Sequence, residues 1–160
     1  CKVMAAFRGW NYRSKFIRAL SYGKSYRKFD SYGKDFSKSW LTKDVECVKK
    51  YFADPKCSFS FTVNAYYGLM EAVHFDNQMD NVKKMPKDLP LFLVSGDQDP
   101  VGDLGEGVKK VYHMYKEAGI EDLTYKLYEN DRHEILNETD KEQVFSDIYA
   151  WMNVRLPQNM

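Results

Sequence analysis

The stretch Leu91-Phe92-Leu93-Val94-Ser95-Gly96-Asp97-Gln98-Asp99-Pro100-Val101-Gly102 decides the fold. Its first four residues are all apolar and lie between Pro90 and Ser95-Gly96. A run this short, bounded by turn formers, reads as a strand buried on both faces, the kind found in parallel sheets. Downstream, Leu104, Val108, Val111, Tyr112 and Tyr115 recur at helical spacing over 104–118 and stop at Gly119. Leu123–Tyr128 (LTYKLY) alternates as a second strand, and 139–153 places Val144, Ile148, Trp151 and Met152 on one helical face. Strand, helix, strand, helix implies parallel pairing through a right-handed crossover. The expected class is therefore α/β. Two strands cannot cover their own faces, so this half expects more sheet than the 160 residues supply.

Upstream the grammar differs. Over 3–20, Val3, Phe7, Trp10, Ile17 and Leu20 sit near helical spacing, interrupted by Gly9 and Asn11, and the spacing predicts a helix from about Tyr12 or Ser14. Residues 21–39 carry two copies of S-Y-G-K and read as irregular loop. Thr42 is expected to cap a helix with Val45, Val48 and Phe52 on one face, stopped at Asp54-Pro55. Further helices are expected from about Thr62 to Val73 and around Asn77–Lys84. The change at Pro86 divides the chain into a helical part, 1–85, and a βαβα part, 86–160.

The net charge of +1 averages two unlike regions. Residues 1–40 hold ten Lys/Arg against Asp30 and Asp35, a local charge of +8, together with ten aromatic residues. Such interleaving suits a solvated basic face with inward-packed rings, then contact with anionic lipid, and least of all nucleic acid. An apolar content of 44% excludes wholesale disorder, and no run approaches the ~18 apolar residues of a membrane span. Cys1, Cys47 and Cys57 are odd in number and lack C-x-x-C spacing, which argues against a disulfide framework or zinc knuckle and for a reducing, cytoplasmic setting. The start at Cys1 rather than Met suggests a piece of a longer protein.

Chemistry in open parallel sheets gathers in the loops after the strands. Those loops are Ser95–Gly102 and Glu129–Glu134, and parallel neighbours bring both to one edge, where an acid can meet His133. A carboxylate on one imidazole nitrogen fixes the tautomer and leaves the other as a general base. Asp99 is the chosen acid because Pro100 stiffens its turn; Asp97 is the runner-up and has an alternative role bonding loop backbone. His113 and His74 lie within or at the end of helices and read as structural. Asp97, Asp99 and Asp103 lack the later Glu of an EF-hand loop, so no metal is expected.

SGDQDPVG (Ser95–Gly102) followed by YENDRHEILNE (Tyr128–Glu138) resembles the α/β-hydrolase fold, specifically lysophospholipase or monoacylglycerol-lipase-like serine hydrolases. SYGKSYRKF and Ser39–Thr62 look like the helical cap these enzymes insert between core strands. The resemblance implies the C-terminal part of such a hydrolase, with Asp99 and His133 as two members of a Ser-His-Asp triad and no cofactor. G-x-S-x-G is absent from the 160 residues, so the nucleophile, the oxyanion hole and the early strands are expected before Cys1, and this chain by itself is expected to be inactive. The implied partners are a lipid-like acyl ester, the missing N-terminal part of the fold and, peripherally, lipid. The competing class is a non-catalytic module that binds an anionic partner through residues 1–40.

Overall fold

The structure, a computed structural model, describes residues 1–156. Its first part is helical: α1 (Lys2–Arg8), α2 (Lys15–Ser21), α3 (Val45–Ala53), α4 (Val63–Asp76) and the single turn α5 (Met79–Val82). The second part is β1 (Leu91–Gly96), α6 (Glu106–Glu117), β2 (Leu123–Tyr128) and α7 (Lys141–Asn153). The βαβα reading of 86–160 matches these elements closely. Two local readings differ. Where one helix was expected from about Tyr12 or Ser14, two short ones form, because Gly9 at φ 81° ends α1 and the Ser14 hydroxyl caps α2 by accepting from the Ile17 N–H. Asp44, not Thr42, caps α3: its carboxylate accepts the Glu46 and Cys47 N–H groups. Thr42 is instead buried, accepting from the Asp44 N–H and donating to the Asn137 carbonyl.

Ala5, Ile17, Val63 and Tyr66 form the core of the helical part. The start of α4 docks there through backbone bonds from Val63 and Asn64 to the carbonyls of Tyr12 and Trp10. In the second part Tyr128, Ile135 and Val144 pack with Val94 and Ile148. β1 and β2 pair in parallel, with Leu91 opposite Leu123 and Gly96 opposite Tyr128, so both strands end at the same edge. Among the described residues the sheet has these two strands, and Phe92, Leu93 and Val94 line an open apolar hollow with α6.

Gly96 decides how closely the two loops at that edge approach. A Cβ there would lie 2.1 Å from the Asp131 carbonyl oxygen and 2.5 Å from that of Arg132. Without it, the Gln98 N–H reaches the Asp131 carbonyl at 2.9 Å and the Asp97 N–H reaches Tyr128 at 2.9 Å. The second loop is also tied to residues 37–43. Glu138, 1% exposed, accepts the Arg132 N–H with one carboxylate oxygen and the Lys43 N–H with the other, each at 2.9 Å. The Arg132 guanidinium collects the carbonyls of Ser37, Ser39 and Thr42. The Lys43 ammonium lies 2.6 Å from Asp131 and 3.5 Å from Asp140, a cation held by buried and half-buried carboxylates from the opposite segment.

These contacts carry two predictions. Gly96→Ala is expected to lower the unfolding free energy by about 1–3 kcal/mol in urea titration. Gly68→Ala, in the α4 interior with open space around it, is expected to leave stability unchanged or raise it by about 0.5–1 kcal/mol. Glu138→Gln turns one acceptor into an NH2 group facing an N–H donor, and is expected to cost about 1–3 kcal/mol by the same measurement. Equal stabilities for wild type and Glu138→Gln would show that the carboxylate does not clamp the two segments.

Candidate functional site

The loop after β1 is built around Asp99. The carboxylate accepts the Val101 N–H at 2.8 Å with Oδ1, and its main-chain carbonyl accepts the Leu104 N–H at 2.8 Å. Pro100 begins the turn, and Asp103, Leu104 and Gly105 follow at φ 52°, 57° and 88°. Left-handed backbone at three successive residues, one of them Leu, is costly, so the loop holds this shape only because its surroundings determine it. Ser25 Oγ bonds Asp103 and Lys28 Nζ bonds Gln98, which fastens residues 24–29 across the loop.

His133 enters from the loop after β2. Its backbone N–H donates to the Trp40 carbonyl at 3.3 Å, and the next N–H, of Glu134, donates to Leu41 at 2.7 Å. Its ring stands 5.1 Å from the Trp40 ring, centroid to centroid. Nδ1 lies 3.1 Å from Asp99 Oδ2. The Asp99 side chain is 8% exposed and that of His133 is 38% exposed, so one partner is buried and the other faces the groove. The hydrogen bond to Asp99 raises the His133 pKa above its ordinary 6.5, while burial works against it. Nε2 forms no hydrogen bond among the described residues.

Asp97 is placed elsewhere. Its Oδ1 accepts the Asn130 N–H at 2.8 Å and the Gln98 side-chain amide at 2.9 Å, which ties the two loops together without reaching His133. Ser95 is buried and its hydroxyl lies 3.4 Å from Asp99 Oδ2 and 3.2 Å from the Gly96 carbonyl, inside the loop rather than facing the groove. His113 and His74 are exposed on α6 and α4, away from the pair. Asp97, Asp99 and Asp103 do not gather as a ligand set. The acids that do converge are Asp131, Glu138 and Asp140, within 4.8 Å of one another, and Lys43 already supplies the cation among them. Burial pushes the Asp131 pKa up, and the bond to Lys43 pulls it back.

His133 and Val101 stand at the wall of an open groove of about 1140 Å³ that runs across residues 18–69. Its lining is aromatic: Tyr22, Tyr26, Tyr32, Trp40, Tyr51 and Phe52 are among the residues that face it. Of its charged lining residues other than His133, both are cations, Arg18 and Lys49. Burial, then the nearby Asp99 carboxylate, pushes the Tyr26 phenol up to about 12. Trp40 and Tyr26 belong to the site by contact, which sequence spacing could not show: Trp40 is 93 positions from His133, and the one available signal was its place in the aromatic segment.

A paired acid and imidazole in the loops at one edge of a parallel sheet can hold and transfer a proton beside an apolar cleft. No curated protein sequence matches the chain. Among solved structures, a highly thermostable carboxyl esterase from Bacillus coagulans in complex with glycerol superposes with a TM-score of 0.80 at 23% identity, covering 96% of this chain and 49% of that one. A soluble variant of monoglyceride lipase from Saccharomyces cerevisiae gives 0.65 at 21% identity, covering 96% and 52%. Paleococcus ferrophilus monoacylglycerol lipase gives 0.59 at 20%, covering 89% and 53%. The chain thus spans about half the length of these structures. The family model described as serine aminopeptidase, S33, matches residues 5–140. The chain belongs to that family and has the α/β-hydrolase fold.

Proposed function

We propose that the protein containing these residues hydrolyses carboxylic esters of lipid-like acyl substrates, with His133 as general base and acid and Asp99 as the carboxylate that orients it. The 3.1 Å contact between Asp99 Oδ2 and His133 Nδ1, at the wall of an aromatic groove, carries this reading. Asp99 accepts the Nδ1 proton, which leaves the Nε2 lone pair to remove the proton of a serine hydroxyl. That serine comes from a part of the fold outside these 160 residues, which hold no G-x-S-x-G. The serine oxygen adds to the ester carbonyl, and the intermediate expels the alcohol as His133 returns the proton to it. Water, deprotonated by His133 in turn, then hydrolyses the acyl-enzyme.

Residues 1–85 form the cap in this reading, its aromatic groove covering the acyl group. Ester cleavage is favoured over removal of an amino-terminal residue because the groove holds no carboxylate among the described residues to receive a peptide ammonium. Phe7, Phe16 and Leu20, at least 64% exposed among Lys and Arg side chains, support peripheral contact with anionic lipid. Among the described residues no helix is long and apolar enough to cross a membrane. The free cysteines support a reducing, cytoplasmic setting.

Two measurements test the reading. A fluorophosphonate probe is expected to label the full-length protein at a serine, and His133→Ala is expected to abolish most of that labelling. A full-length protein that stays unlabelled while intact and folded removes the serine mechanism. The second test is the pH profile. Neutral His133 is the active base, so kcat/KM is expected to fall as pH drops through a value above 6.5. Asp99→Asn removes the cause of the raised pKa. It is expected to move that limb to lower pH and to cut kcat by roughly 10³–10⁴, as loss of the carboxylate does in serine proteases. Stability runs the other way. A raised folded pKa stabilises the fold below about 6.5, and that contribution is lost as pH rises through the folded value.

A further inference from the structure

We propose that the groove selects acyl esters carrying an anionic oxygen group, carboxylate or phosphate, at the end remote from the ester, and that Arg18 binds that group. The inference rests on the ester-hydrolase reading and specifies its substrate. A continuous row of rings leads from the imidazole to a guanidinium. His133 is 5.1 Å from Trp40, Trp40 is 5.6 Å from Tyr26, and Tyr26 is 5.1 Å from Tyr22. Tyr22 is 5.8 Å from Tyr32, over whose ring the Arg18 guanidinium sits at 4.9 Å. All six residues line the same groove. An apolar chain laid along the rings, with its ester carbonyl near His133, points its far end toward Arg18.

Arg18 is placed to receive an anion. It follows Ile17, a buried anchor of the helical core, on a helix whose start is capped by Ser14, so the base of its side chain is fixed. Nη1 donates to Ser60 Oγ at 3.2 Å, and the guanidinium forms no ion pair among the described residues. Lys49, the other cation of the groove, is already paired with Glu46 at 2.7 Å. A guanidinium carries five donors in a planar fork, so donors remain for two oxygens of a carboxylate or phosphate. A substrate ending in a neutral group would cover this cation without replacing its water, and that loss is the source of discrimination.

The test uses the full-length protein and two p-nitrophenyl esters of one length, the mono-p-nitrophenyl ester of sebacic acid and its methyl-capped counterpart. The free acid is expected to give a kcat/KM about tenfold above the capped ester, the size of one charge-assisted contact at a half-exposed site. The ratio is expected to shrink in high salt, to approach one in Arg18→Gln and to survive in part in Arg18→Lys. A matched ester ending in phosphate instead of carboxylate identifies which oxyanion is preferred. Turnover of both sebacate esters at equal kcat/KM overturns the inference and leaves the hydrolase reading standing. A purely structural role for Arg18 would lower both rates by one factor and keep the ratio, which also overturns it. Turnover of neither ester overturns the hydrolase reading and the inference together.

Discussion

One buried carboxylate holds the site in register. Glu138 spends its two oxygens on two backbone N–H groups from segments far apart in the chain, those of Lys43 and Arg132. Around it, three consecutive residues are each fixed by different chemistry. Asp131 is held through its side chain by Lys43 and through its carbonyl by the Gln98 N–H. Arg132 is held by Glu138 and by three carbonyls of the opposite segment. His133 is held by Asp99 and by the Trp40 carbonyl. The lock matters because a loop alone would leave the imidazole free to drift, and misplacement of about 1 Å can cost 10²-fold in rate.

The same arrangement sets the protonation states. Asp99 is buried and satisfied by the Val101 N–H, so its remaining oxygen acts on His133 through little intervening water. Tyr26, close enough to feel that carboxylate, has its phenol pushed up to about 12 and stays neutral at ordinary pH. The pair therefore has no competing anion beside it. His133 remains partly open to the groove, which gives Nε2 access to a reacting group while Nδ1 faces the protein.

Periodicity made the second half legible. β1, α6, β2 and α7 each carry a pattern matched to their structure, and parallel pairing alone required Asp99 and His133 to share an edge. The first half was less legible, because Gly9 divides a stretch whose apolar spacing suggests one helix, and because Thr42 and Asp44 are both good caps two residues apart. Long-range burial decided that contest: Thr42 is taken up by the Asn137 carbonyl, which leaves Asp44 to cap α3. Glu138 was invisible for a similar reason. An acid in a loop reads as solvated, and only the fold reveals that residues 43 and 132 meet around it.

The charge split between the two regions also has a structural account. Four of the cations in residues 1–40 lie over aromatic rings: Lys2 over Tyr67, Arg8 over Tyr12, Arg18 over Tyr32 and Lys28 over Phe29. Among the described residues the same stretch forms one side-chain ion pair, Lys38 with Asp35. A ring attracts a cation through its quadrupole but does not cancel its charge. The segment can therefore order its basic side chains and still present a positive field to solvent. Had carboxylates filled that role, the helices would be fastened equally well and the field would be gone. Using rings as cation partners lets one segment both build an apolar groove wall and keep the groove attractive to anions.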